Sequence, residues 1–526
     1  MLPSLLMKRF LAITAVAALV VGRVAAGPFS KGPYIQFPAP DTVTVMWEGT
    51  TNLPGTVRFG PGQGLTQTFD NIIPVAKESR TTALVKAGPT NITYFLYRAS
   101  IPGLMPHALY SYQVTVGNQA SEVRQFRTLD PHAQETRFIV YGDSRSDPKK
   151  HRALAEMFAA YRPEFILHTG DLVAKGQDYS LWSREFFEPL ATVIDRTPFF
   201  SVIGNHEQDG TNYLNYFDLP GNGLWYSLDA GPVHVLALDF RYPKTDHPQF
   251  RFAEADLKKS HAPWKIVILH TPMYNVGGHA SDWGHENYLP LFHKTHVDLV
   301  LAGHSHLYER FRPLAPRRAR AQWAITHITT GGGGAGLHNA LPHPSLFAHA
   351  TTNHFMVFEA DAGTLKGKAV SVDGSLIDSF QLFKARGKPM PDYLGMGYDQ
   401  ESLDLFFVAG PMLGARAAAA PDDDGELVQF TLTSRPKGKP IELRVRLSES
   451  SSRDYEVVDA PLIWRTPRTG YTNYVTVQVL SRGSAHITTN SSKELVPPLS
   501  FEAEVNDSRS NTLVYGPRVK VGALVR

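Results

Sequence analysis

Asp143, Asp171, Asn205, His270, His304 and His306 are oxygen and imidazole donors, and each stands at or just beyond the end of a short apolar run. The runs are FIVYG before Asp143, ILHTG before Asp171, SVIG before Asn205 and His206, KIVIL before His270, and LVLAG before His304 and His306. Carboxylate, amide oxygen and imidazole with no thiolate suit zinc, manganese or iron better than a calcium cage. Taken singly, each residue has a plainer explanation. A strand-end Asp commonly caps a helix or forms a turn, and a buried His is commonly a hydrogen-bonded core residue. Together and in this order they read as a metal site. GHSH weighs most, because Gly303 frees the backbone while His304 and His306, two apart, can point to neighbouring positions.

Such a site needs strands that end on a common edge. RFIVY, EFILH, FFSVI, VHVLAL, WKIVIL and VDLVLA are rich in β-branched residues and apolar on both faces, and helical stretches such as HRALAEMFAAY at 151–161 alternate with them. That pattern predicts a layered α/β domain whose strands are covered on both sides, with ligands at their carboxyl ends. From about residue 30 to 130 the chain alternates at period two instead, in TVTVMW, GTVRFG, TYFLYR and LYSYQVTVG, which predicts a small β-sandwich. A linker is expected over 386–425, through GKPMPDYLGMGYDQ and AAAAPDDDG. Beyond it LVQFTLT, IELRVRL, YVTVQVL and SFEAEV predict a C-terminal β-rich domain over 426–526, in which no chemistry is readable.

With 526 residues, 43% of them hydrophobic, the composition is globular and the length suggests about three domains. The net charge is only +3 and the one basic cluster is Arg317, Arg318 and Arg320, so no nucleic acid partner is expected. Residues 1–26 read as an export signal: Lys8 and Arg9, an apolar run from Phe10 to Val21, and cleavage after Ala26. That run is shorter than the roughly 18 residues a membrane span needs, so no span is expected in the mature protein. The chain has no cysteine. Export without disulfides fits a periplasmic or secreted location in a bacterium.

GD, GD, GNHE, a strand-end His and GHSH, in this order, resemble the calcineurin-like metallophosphoesterase family. The likeness extends to YSLDAGPVHVLALD at 226–239, and SEVRQFRTL resembles the close of the N-terminal domain of purple acid phosphatases. It covers about residues 30–385 and implies a four-layer α/β/β/α sandwich over 136–385 behind a fibronectin-like β-sandwich over 30–130. It further implies two metal ions, iron, zinc or manganese, bridged by Asp171. Asn205, His270 and His304 would complete one position, and Asp143 and His306 would hold the other. In the family's mechanism a metal-bound hydroxide attacks phosphorus in line, and His206 would contact the phosphoryl group and protonate the leaving alkoxide. The substrate so implied is a small-molecule phosphate ester, hydrolysed as by an acid phosphatase acting on monoesters. A phosphodiesterase or nucleotidase would use the same ions, and the loops 172–185, 207–224 and 275–288 that choose between them carry no readable code. A non-catalytic binding protein with a degenerate site is the alternative from another class; the intact His206 speaks against it.

Two departures from the family pattern concern the first ion. The tyrosine that purple acid phosphatases carry three residues after the second aspartate is Ala174 here, and the histidine that the other branch carries two after the first is Arg145. The first ion keeps only Asp143, Asp171 and His306, and no tyrosinate–iron chromophore is expected. Arg145 has no lone pair to offer a metal, but its fork suits phosphate oxygens, a ligand carboxylate or a salt bridge holding the loop. Asp147 and His151 are candidate substitute ligands, against ordinary roles as helix N-cap and first-turn residue. His279, nine after His270, is a candidate phosphate contact, and His168 a support for a ligand from behind. The run Gly331–Gly334 could offer backbone N–H groups to a phosphate or be a flexible turn.

Overall fold

The apolar runs become the parallel strands of two facing sheets. The computed structural model describes residues 29–81, 90–311, 314, 325–341 and 346–383, and beyond these only strand backbones between 408 and 522. The expected export signal, the basic cluster at 317–320 and nearly all of the expected linker lie outside the described residues.

In the first sheet Phe199–Ser201, Phe165–His168 and Glu135–Tyr141 run parallel, and His354–Asp361, Thr364–Ser371 and Leu376–Phe383 extend it antiparallel. In the second, Val233–Ala237, Trp264–Leu269, Leu299–Ala302 and Thr326–Thr330 run parallel, flanked by Tyr226–Ala230, Tyr308–Phe311 and Leu346–Ala350. Alternation decides what each residue touches. Ile266, Ile268, Leu299 and Leu301 face inward and share one core with Phe138, Val140 and Met356 of the first sheet. Val267, Leu269, Val300 and Ala302 face outward, onto Ala253 and Leu257 of helix Pro248–Lys259 and Tyr288 and Phe292 of helix Tyr288–Lys294. Helix Pro148–Ala159 covers the outer face of the first sheet, with Phe158 5.2 Å from Tyr141 and 5.7 Å from Phe355 between ring centroids. The layers are therefore α/β/β/α, and both faces of each central strand are buried because each meets apolar side chains.

Residues 29–81 and 90–127 fold as two packed sheets. Phe29–Ala39, Thr42–Gly49, Thr90–Ile101 and Val75–Thr81 form one, and Gly55–Pro61 and Leu109–Val116 centre the other. Trp47 stacks on Tyr97 at 4.8 Å between them. In the C-terminal third, Leu427–Ser434 pairs with Asn473–Ser481, and Glu442–Leu447 with Glu494–Asp507. Val408–Ala409, inside the stretch read as linker, pairs with Leu427–Ser434. Among the described residues no helix is long and apolar enough to cross a membrane.

The β-sandwich meets the α/β/β/α layers at a buried ion pair. Lys31 Nζ lies 2.7 Å from Glu48 Oε1, both side chains fully buried, and 3.6 Å above the ring of Tyr179. Glu48 also accepts from the Tyr216 hydroxyl at 2.8 Å and from the Tyr179 hydroxyl. Burial pushes Lys31 down to about 8, and Glu48 opposes the shift. Removing one partner of such a pair strands the other charge. Glu48→Ala should therefore lose about 3–5 kcal/mol of stability in equilibrium denaturation; a loss below about 1 kcal/mol would show that the pair is not what holds the two parts together.

Candidate metal centre

Each donor sits on the first turn after its strand, where the chain must reverse within a few residues. Asp143, Asp171 and His304 take left-handed φ values of +57°, +60° and +67°, which non-glycine residues seldom adopt. The preceding glycines are explained by space. A Cβ on Gly204 would lie 2.2 Å from Asp171 Oδ1, and one on Gly303 2.4 Å from Asp143 Oδ2, so the carboxylates rest directly on neighbouring backbone.

Two groups of donors result. In the first, Asn205 Oδ1 lies 2.9 Å from His270 Nε2 and 3.0 Å from His304 Nδ1, and the two ring nitrogens are 3.2 Å apart. Asp171 Oδ1 lies 3.3 Å from His270 Nε2. Donors about 2.1 Å from a common ion and at right angles to one another are about 3.0 Å apart, so this set fits one ion. In the second, single ligand atoms of Asp143, Asp171 and His306 lie within 4.8 Å of one another, all three residues buried. Asp143 Oδ1 is buried and makes no hydrogen bond, with His306 Nε2 3.5 Å away, as a carboxylate oxygen sharing a cation position with that ring would be. Asp171 contributes to both sets, through Oδ1 and Oδ2.

Backbone carbonyls fix the imidazoles. His270 Nδ1–H donates to Thr169 O at 2.9 Å, His306 Nδ1–H to Gly336 O at 2.6 Å and His206 Nδ1–H to Ala174 O at 2.7 Å, which leaves each Nε2 for the site. His206 Nε2 is 3.8 Å from Asp171 Oδ2, and its ring is partly exposed. Burial lowers His304 to about 3, helped by His270 and His279, so its ring is neutral and its lone pair free. Burial would also lower His270, but Asp171 and Asp143 outweigh it and raise the pKa; for His306 the nearby Asp143 carboxylate does the same. Burial would raise Asp171, and His270 and His206 pull it down instead.

Other expectations meet the structure less evenly. Asp147 is the N-cap of its helix, accepting from the N–H groups of Lys149 and Lys150 at 3.2 Å each. His151 spends both ring nitrogens, on the Tyr141 hydroxyl and Glu185 O at 2.8 Å each, so neither residue replaces the missing ligand. The Gly331–Gly334 run is neither a flexible turn nor a phosphate cradle. A Cβ on these four would come 2.3, 2.2, 2.4 and 2.6 Å from Ser305 O, His354 Nδ1, Gly142 O and Ser144 O, so the run lies flat against the back of the Asp143 turn. Gly333 N–H donates to Gly142 O at 2.8 Å and Ala335 N–H to Asp143 O at 2.9 Å, so these donors are already used. His168 braces two ligand turns: Nε2 meets the Ser144 hydroxyl at 3.1 Å, and Nδ1 accepts from Gly170 N–H at 3.2 Å. His279 comes to the mouth of the site, its ring 4.6 Å from that of His304.

Two contributors went unread in the sequence. Glu207, the last letter of GNHE, is buried and accepts from the backbone N–H groups of Asp171 and Leu172 at 2.9 Å each and Gly204 at 2.7 Å. It ties the turns of Asp171 and Asn205 together. His338 stacks on His306 at 4.2 Å and accepts from its N–H at 3.1 Å. A histidine following a glycine run was the only available signal for it.

Comparison with known proteins agrees with this architecture. Residues 130–308 match the family described as calcineurin-like phosphoesterase, and residues 31–128 the purple acid phosphatase N-terminal domain. The chain is 29% identical to mouse (Mus musculus) acid phosphatase type 7 over 310 residues, 52% of this chain and 69% of that protein. It is 28% identical to the human (Homo sapiens) protein of the same name over 327 residues, 56% and 73% of the two chains. In fold it is similar to purple acid phosphatase from yellow lupin (Lupinus luteus) seeds, with a TM-score of 0.59 at 18% identity, covering 67% of this chain and 74% of that one.

Because Glu207 holds two ligand turns at once, Glu207→Gln replaces an acceptor by an N–H group that faces other N–H groups. Apparent metal affinity should fall about 10- to 100-fold in a manganese titration, with a lowered melting temperature. Unchanged affinity would restrict Glu207 to packing.

Proposed function

The chain belongs to the calcineurin-like phosphoesterases and is a metal-dependent phosphoester hydrolase, and from that premise we propose an exported, acid phosphatase-like monoesterase. The observation that carries the reading is the convergence of Asp143, Asp171, Asn205, His270, His304 and His306, from two different sheets, on one edge with His206 beside it. The ions such a donor set takes supply a nucleophile from water at neutral pH and neutralise charge on the phosphoryl group.

The protein's own groups divide the remaining work. Asp171 shares its two oxygens between the donor sets and fixes their separation. His206 has Nδ1 committed to Ala174 O, so Nε2 is the atom from which a proton reaches the departing alkoxide, and its partial exposure leaves room for substrate. His279 stands at the exposed mouth, where phosphoryl oxygens would enter, and Arg145 lies inside it, beside Asp171 and His306. The export motif at residues 1–26 and the relatives called purple and acid phosphatases support the monoesterase and export readings.

The purified protein should retain metal after dialysis and turn over an aryl phosphate monoester faster than the matching diester. A preference for the diester would move the reading to a phosphodiesterase, and a folded, metal-free, inactive protein would end it. Asp171→Asn should abolish turnover and lower bound metal while the fold persists. His206→Ala should keep its metal and lose about 10²- to 10⁴-fold in kcat, most for alkyl leaving groups of high pKa. Equal losses for aryl and alkyl esters would reduce His206 to a phosphate contact.

A further inference from the structure

The side chain of Arg145 is 17% exposed and lies among the donors of the first ion rather than out toward solvent. Its Nε–H donates to Asp171 Oδ2 at 3.3 Å, and its Nη2–H to His306 Nε2 at 3.3 Å. These acceptors are two of the three ligand atoms left to the first ion in this chain; the third is the unpartnered Asp143 Oδ1.

His306 decides the matter. Its Nδ1–H is given to Gly336 O, so in the neutral ring Nε2, which also lies 3.5 Å from Asp143 Oδ1, has a single lone pair. That lone pair can accept from Arg145 or bind an ion, and it cannot do both. The ring cannot turn to serve both partners either, because His338 stacks on it and receives its backbone N–H. The donor set around Asn205 differs. Asn205 Oδ1, His270 Nε2 and His304 Nδ1 contact one another, and no arginine or lysine donates to any of them among the described residues.

We propose that the Arg145 guanidinium is a built-in cation occupying the first ion's place, so that the protein holds one ion firmly at Asn205, His270, His304 and Asp171 and admits a second only when Arg145 withdraws. The inference rests on the proposed reading of the donor set and adds the order and strength of occupancy. Two charge-assisted hydrogen bonds must break before the second ion binds, which weakens that ion by about ten- to a hundred-fold. Arg145 is displaced on the side where phosphoryl oxygens enter, so uptake of the second ion releases a guanidinium to the substrate.

Manganese titration of the full chain, read by equilibrium dialysis and by electron paramagnetic resonance, tests this without relying on turnover. Wild type should bind one ion tightly, with the six-line spectrum of an isolated ion. A second equivalent and an exchange-coupled spectrum should appear only at about ten- to a hundred-fold higher manganese. Arg145→Gln should bind two ions at similar concentrations, and Arg145→His, which adds an imidazole, should bind the second more tightly still. Two ions of comparable affinity in wild type, or an unmoved second affinity in both variants, would overturn the assignment of Arg145 and leave the phosphoesterase reading standing. Absence of any bound ion in wild type and variants alike would instead overturn the donor-set reading on which both rest.

Discussion

Two buried carboxylates, Asp143 and Asp171, face one small space, and everything around them answers the need to neutralise that charge. With ligand atoms within 4.8 Å of one another, two like charges repel by on the order of 3 kcal/mol even in a moderately polar interior, before the loss of hydration is counted. His270 responds by holding its proton more tightly than usual, against the effect of burial. Arg145 responds with a permanent charge that touches Asp171 directly. Metal ions do the same with greater charge density, and the donor spacings of about 3 Å around Asn205 are those an ion would set.

A cluster this unfavourable by itself must be held in place by something stronger, and that is the pair of sheets. Left-handed backbone at Asp143, Asp171 and His304 carries strain of roughly 1–3 kcal/mol per residue. Each of the three follows a strand buried on both faces, whose apolar side chains cannot shift without opening the core. Gly204, Gly303 and the run Gly331–Gly334 then let backbone segments close to within contact of the carboxylates, and Glu207 gathers the N–H groups that this crowding would otherwise orphan. Strain at the turns is thus maintained by packing at a distance from the chemistry.

That division explains what could be read in advance. The strands announced themselves through apolar runs with polar residues at their ends, because burial on both faces and ligand chemistry each leave a mark on residue type. The role of Gly331–Gly334 was not readable, since glycine permits both a loose loop and a tight approach, and only the neighbouring Asp143 turn selects the second. Glu207 lay in plain sight within GNHE, yet a glutamate that accepts only backbone N–H groups has no partner residue to betray it. Arg145 was visible as a departure from a pattern. Where its guanidinium goes depends on His306 and Asp171, from two different sheets, and no local sequence rule brings those together.

The β-sandwich enters the same network from outside. His206 O accepts from Gly176 N–H at 2.7 Å, and Gly176 O accepts from Trp182 Nε1–H and from Asn212 Nδ2–H, each at 2.8 Å. Asn212 also donates to Ser79 Oγ of the sandwich at 2.9 Å, while Tyr94 of the sandwich accepts from Asn215 at 3.1 Å. The loop that carries Ala174, whose carbonyl orients the His206 ring, is therefore gripped on one side by the site and on the other by the sandwich. Among the described residues of the sandwich none belongs to either donor set. The sandwich's contribution is to restrict the conformations open to the 174–179 and 205–218 segments, so that His206 Nε2 stays in one place beside Asp171.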